Sequence, residues 1–134
     1  MTGNRTLTVQ VNRKLPYFAQ LFGLNPKLSV NVQQRMRASI KRWWRQYVAA
    51  SLKVDEQEPI TGHLHVHVTQ FVAPKERRMD SGNLIILVDK LILDNLVHLG
   101  YLRNDSPRHV RSWSVDWLRG GVSGVTVTIS PEDL

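Results

Sequence analysis

The chain has 134 residues, 42% of them hydrophobic, which is the length of one domain and a composition that supports a buried core rather than a disordered segment. It has no cysteine, so disulfides and thiolate metal sites are excluded, and that fits a reducing cytoplasm. A formal charge of +7 points to a polyanionic partner, a balance that structural and RNA-binding proteins share with DNA enzymes.

In chain order, Thr6 to Val11 alternates polar and apolar, with Leu7, Val9 and Val11 on one face, and predicts a strand. The opening MTGNRTLTVQ has no signal-peptide core. Asn12 to Lys27, with Pro16, Gly23 and Pro26, reads as an irregular loop carrying Arg13, Lys14 and Lys27. Ser29 or Asn31 can then cap a helix running to about Leu52. Val32, Met36, Ile40, Trp43 and Tyr47 recur at three- and four-residue intervals and are the expected core stripe. That phase puts Trp43 inside and Trp44 at the margin or in a dimer contact; the other reading of the pair is stacking on unpaired bases. Arg37, Lys41, Arg42 and Arg45 fall on the opposite side, either as a solvated basic face or as a surface that tracks phosphates.

Asp55 to Gly62 is an acidic, turn-rich connection. His63 to Val68 alternates strictly, placing three histidines on one face of a strand and Leu64, Val66 and Val68 on the other. Neighbouring histidines on one face of a flat strand are roughly 7 Å apart and do not converge on one ion, so a polar sheet face is preferred to a zinc site. Phe71 to Met79 carries Lys75, Arg77 and Arg78 toward Asp80, and bases directly before an acidic site can grip flanking phosphates.

Leu84 to Leu99 is apolar almost all round, which predicts a buried helix, although Asp89, Lys90 and Asp94 prevent it from being a membrane span. Asn83, Lys90 and Asp94, spaced by seven and four, share one side of it. One reading is an intrahelical Lys90–Asp94 pair with Asp80 as the N-terminal cap; the other is a metal-dependent phosphodiesterase site. Ser106-Pro107-Arg108 turns the chain into a strand from His109 to Trp117, Gly120-Gly121 turns it again, and Val125, Val127 and Ile129 alternate in a closing strand. The expected fold is α+β and a single domain over residues 1–134: a mixed sheet packed with a long basic N-terminal helix and a buried central helix.

The order from Arg77 to Asp105 (basic pair, Asp80, Gly82-Asn83, Lys90, Asp94, Leu96, Gly100, Asn104-Asp105) resembles the RusA-type Holliday-junction endonucleases, homodimeric resolvases of phages and prophages. Their pattern runs basic, D-x-D-N, then a helix with K-x-x-x-D-x-L, then G and a D-D pair, and the sharp resemblance covers about a fifth of the chain. The resemblance implies metal ligation by Asp80, Asp105 and Asp94, with Asp80, Lys90 and Asp105 as the catalytic set. It also implies that Arg13, Lys14 and Lys27 lie near DNA, together with Arg37, Lys41, Arg42, Arg45, Lys75, Arg77 and Arg78. Phosphodiester hydrolysis needs an acidified water and neutralised charge, which magnesium held by Asp oxygens supplies; manganese is the substitute. Lys90 would stabilise the added negative charge of the transition state.

Two departures stand out. Gly82 replaces the family's second Asp, and Asn83 precedes Lys90 by seven residues rather than three, which moves the helix start by roughly 6 Å while keeping its face. The expectation is a magnesium-dependent, homodimeric endonuclease that nicks four-way or branched DNA in the cytoplasm of a bacterial host cell, with no membrane association and no small-molecule cofactor. The alternative is a branched-DNA-binding protein of the same fold that has lost cleavage because of Gly82.

Overall fold

The structure, a computed structural model, describes residues 6–16, 29–52, 59–60, 62–103 and 110–132. Lys27, Asn104, Asp105 and the expected turn at Ser106-Pro107-Arg108 lie outside these residues, as do most of the 12–27 loop and most of the acidic connection. The chain runs β1 (Leu7–Val11), α1 (Val30–Ser51), β2 (Leu64–Val72), α2 (Ser81–Val88), a π-helical segment (Asp89–Leu93), α3 (Asp94–His98), β3 (Val110–Arg119) and β4 (Gly124–Pro131). The strands form one sheet in the order β1-β4-β2-β3. β4 is antiparallel to both of its neighbours, whereas β2 and β3 run parallel and are joined through the central helix. The fold is therefore α+β with a mixed sheet.

Period-two alternation decides which face of the sheet is covered. Val9, Leu64, Val66, Val68, Val125, Val127 and Ile129 are buried and pack in one core with Leu84, Leu87, Val88, Leu91, Ile92 and Leu96. Each such side chain contributes about 1.5–3 kcal/mol by leaving water, so the single apolar face is what closes the domain. Gly120 and Gly121, both at positive φ, make the tight β3–β4 turn that L-residues disfavour.

Ser29 caps α1, its Oγ accepting the Val32 amide at 3.2 Å. The core stripe is phased differently from the expected one. Trp44 and Val48 are buried, flanked by half-buried Ile40 and Tyr47, whereas Val32, Met36 and Trp43 are exposed, Trp43 by 63%. Only the C-terminal half of the helix meets the core, and there the i, i+4 row from Ile40 through Trp44 to Val48 governs. One residue is about 100° of rotation, enough to exchange the two tryptophans.

The central helix widens at Asp89–Leu93, where the Asp94 amide bonds to the Asp89 carbonyl five residues back. α3, which follows directly, faces α1 through Asn95, which is fully buried. The Asn95 amide group donates to the carbonyls of Lys41, at 3.0 Å, and Leu91, at 2.6 Å, and its Oδ1 accepts Arg45 Nε at 3.0 Å. Asp94 also reaches across to α1, pairing with Lys41 Nζ at 2.7 Å, so the expected intrahelical Lys90–Asp94 pair gives way to an interhelical one. A buried amide with all three partners fixes how α1 seats on the central helix. Asn95→Ala leaves two carbonyls and a guanidinium short of partners and is expected to lower stability by about 2–3 kcal/mol, read from urea denaturation.

Candidate functional site

Beyond β2, residues 73–80 are tied down from several sides. Arg119 Nη1, at the end of β3, donates to the carbonyls of Ala73, Pro74 and Glu76 at 3.3, 3.2 and 2.8 Å. The Glu76 carboxylate accepts the Ala73 amide at 3.4 Å and Ser123 Oγ at 2.9 Å, and Lys14 Nζ lies 3.8 Å away. Buried Gln70 turns its Oε1 to the Met79 amide at 3.1 Å. The next residue, Asp80, caps α2, its Oδ2 accepting the Asn83 amide at 3.3 Å. A carboxylate at this end of a helix is favoured by the exposed amides and by the dipole.

The result is a cleft of about 260 Å³ lined by Lys14, Glu76, Arg77, Arg78, Asp80 and Asn83, with Gln70, Phe71, Met79 and Ser123 among its further walls. Three cations thus share a cleft with the exposed Asp80 carboxylate, an arrangement suited to a phosphate approaching an acidic centre. Arg78 rests over the Trp117 ring at 5.1 Å. Gly82 sits in the first turn of α2 and is not among the positive-φ glycines; a Cβ there would stand 3.2 Å from Asp80 Oδ2. Residue 82 therefore faces the Asp80 carboxylate, and an L side chain is conformationally acceptable there.

The residues singled out in the sequence divide into groups. Lys14, Arg77, Arg78, Asp80 and Asn83 come together. Lys90 is exposed and lines neither this cleft nor a second groove of about 350 Å³, which Asp94 lines with Lys41, Arg45, Val97 and His98. Asp80 and Asp94 thus open onto separate recesses. Arg13 stacks on Tyr47 at 4.7 Å, Arg42 is exposed, Arg37 half-buried and Lys75 exposed. Asp105 and Lys27 lie outside the described residues. Sequence reasoning missed Gln70, Glu76, Ser123 and Arg119. Two of these left a signal: Gln70 occupies the buried phase of β2, and Glu76 is an acid inside a basic run.

The histidine face is a hydrogen-bonded ladder. Ser112 Oγ donates to Glu132 at 3.0 Å, so it accepts from His65 Nδ1 at 2.6 Å; His65 Nε2 must then accept from Ser114 Oγ at 2.9 Å. Ser114 in turn accepts from His67 Nδ1 at 2.6 Å, and His67 Nε2 lies 3.4 Å from both Thr69 Oγ1 and Asp116 Oδ1. The imidazoles are spent on serines, and among the described residues no group of three His, Cys, Asp or Glu side chains is placed to hold a metal ion.

The chain matches no protein-family model and no curated protein. No described helix is long and apolar enough to cross a membrane.

The loop geometry has a measurable consequence. Arg119 is exposed, so Arg119→Ala is expected to leave global stability nearly unchanged while amides of residues 76–79 exchange with solvent roughly tenfold faster, the equivalent of about one lost hydrogen bond, by native-state hydrogen exchange.

Proposed function

We propose that this protein is a RusA-type, magnesium-dependent endonuclease that nicks four-way or branched DNA as a homodimer. The observation that carries the reading is the exposed Asp80 carboxylate at the N-terminus of α2, in a cleft whose walls supply Lys14, Arg77 and Arg78 from two separate segments of the chain. The net charge and the order of residues 77–105 support it.

The donor chemistry fits magnesium: Asp80 offers carboxylate oxygen and Asn83 an amide oxygen beside it, both hard donors. Asp80 and Asp105 would hold the ion, which supplies an acidified water and neutralises phosphate charge. Lys14, Arg77 and Arg78 bind the phosphates and fix the backbone against Asp80. Seven residues of helix, roughly 10 Å, separate Asn83 from Lys90, so these three cations are better placed than Lys90 to meet charge developing at the scissile phosphate. Asp94, engaged by Lys41, serves the seating of α1. The exposed apolar residues Val32, Met36 and Trp43, spaced by four and seven along α1, suit a partner subunit, and a two-fold enzyme suits symmetric cuts in a two-fold junction.

The second reading, a branched-DNA-binding protein without cleavage, is favoured by Gly82, which contributes no carboxylate where the resembled pattern has one. Labelled four-way junctions separate the two. Asp80→Asn is expected to abolish nicking and to keep or strengthen binding, because it removes a ligand together with a charge that repels phosphate. Gly82→Asp, in helical backbone and facing Asp80, is expected to lower the magnesium concentration required. Wild-type protein that binds junctions but never nicks them, at any magnesium or manganese concentration, would establish the binding-only reading.

For α1, Arg42→Ala combined with Arg45→Ala is expected to weaken binding to all junction sequences alike. The slope of log affinity against log salt should drop by roughly one unit for each lost phosphate contact. An unchanged slope would place this face away from DNA.

A further inference from the structure

β3 is an edge strand, and its last residues stand beside the Asp80 cleft. Trp117 pairs in register with Gln70, whose side chain holds the Met79 amide immediately before Asp80. Its indole is 39% exposed and has a guanidinium on each of two approaches, Arg78 at 5.1 Å and Arg119 at 5.4 Å from the ring centroid. Leu118, exposed by 57%, alternates to the other face of the sheet, beside Phe71, and Val122, exposed by 68%, lies in the β3–β4 turn. A large aromatic ring left open at a sheet edge loses hydrophobic stabilisation, and here no described residue covers the remaining ring surface.

We infer that Trp117 is a stacking platform for an unpaired DNA base next to the cut phosphate. The inference rests on the nuclease reading and narrows its substrate to DNA in which bases beside the scissile bond are open. The occupant follows from charge and shape together. An aromatic face bordered by two arginines accepts a flat base with phosphates on either side, which is how single strands are held. An apolar peptide would meet two cations, and intact duplex would present only backbone, because its base faces are stacked away. Arg119 stays where it is over the ring, since its Nη1 is committed to carbonyls of Ala73, Pro74 and Glu76. Arg78 has no hydrogen-bond partner among the described residues and can leave the ring for a phosphate when a base arrives.

The experiment compares binding of the wild type, Trp117→Leu and Trp117→Phe in calcium, without cleavage. The probes are a fully paired duplex and a four-way junction carrying 2-aminopurine at the branch point. Wild type and Trp117→Phe are expected to quench 2-aminopurine and to prefer the junction. Trp117→Leu is expected to lose the quenching and about tenfold of the junction affinity, with duplex affinity and salt slope retained. Trp117 is exposed at the sheet edge, and a thermal melt checks that each variant is folded. Unchanged quenching and junction preference in folded Trp117→Leu would overturn the inference while leaving the nuclease reading intact. Absence of any junction preference in the wild type would overturn both.

Discussion

Parallel pairing of β2 with β3 brings the ends of both strands to the same end of the sheet, with Val72 directly beside Arg119. A parallel pair needs a crossover, and the buried central helix is that crossover; its N-terminus necessarily starts where β2 stops. The loop leaving β2, the cap of α2 and the exit of β3 are therefore concentrated in one place. In open sheets this end of parallel strands is where ligands are commonly bound. Here the arrangement lets one guanidinium, Arg119, gather three carbonyls of the basic loop that an antiparallel partner would have left at the far end. The cleft around Asp80 is a consequence of strand direction as much as of the residues lining it.

The opposite side of the central helix solves a different problem. Only Trp44 and Val48 of α1 are buried, and its seam with the central helix brings carbonyls of both helices, those of Lys41 and Leu91, close together. Asn95 resolves this by bonding to a carbonyl on each helix and to Arg45, and the Lys41–Asp94 pair closes the rim. Because Asp94 is a little over one-third exposed, that pair adds modest stability and mainly fixes orientation. Arg45 is thereby held by a buried residue, which limits the entropy lost if it also meets a phosphate.

Features set by short-range rules were readable from the sequence, and those set by distant partners were not. Alternation located β1, β2 and β4, the expected turn at residues 106–108 led to β3, and Ser29 and Asp80 stood in capping positions that the structure fills. The tryptophans exchanged roles because the expected stripe and the row from Ile40 through Trp44 to Val48 share Ile40, and only the C-terminal half of the helix meets the core, where the second row is the buried one. Asp94 had a sequence-local partner in Lys90, but its actual partner lies 53 positions away on another helix. The π-segment has no signature in a run of Leu and Ile, although it decides where Asn95 points. Gln70 was legible in principle: a glutamine in the buried phase of a strand of valines requires a partner, and the backbone just before Asp80 provides it.

Gly82 draws these effects together. Asp80 already satisfies the Asn83 amide and places negative charge at the helix N-terminus, a combination worth about 1 kcal/mol or somewhat more. A second carboxylate at residue 82 would project toward Asp80 Oδ2, since even its Cβ would lie within 3.2 Å of that oxygen. Without a cation the two charges would repel, and the cap would be weakened where the chain enters the central helix. With a cation bound, the same proximity becomes attraction to a shared ion. Glycine therefore favours the metal-free helix start, and an aspartate would favour the metal-bound one. The arginines and Lys14 that line the same cleft would shift this balance further toward the metal-free state, because positive potential there attracts phosphate without a metal to bridge it. On the proposed nuclease reading, the number of carboxylates at the helix start would govern how far metal and DNA must bind together, while the basic walls would govern how tightly DNA binds alone.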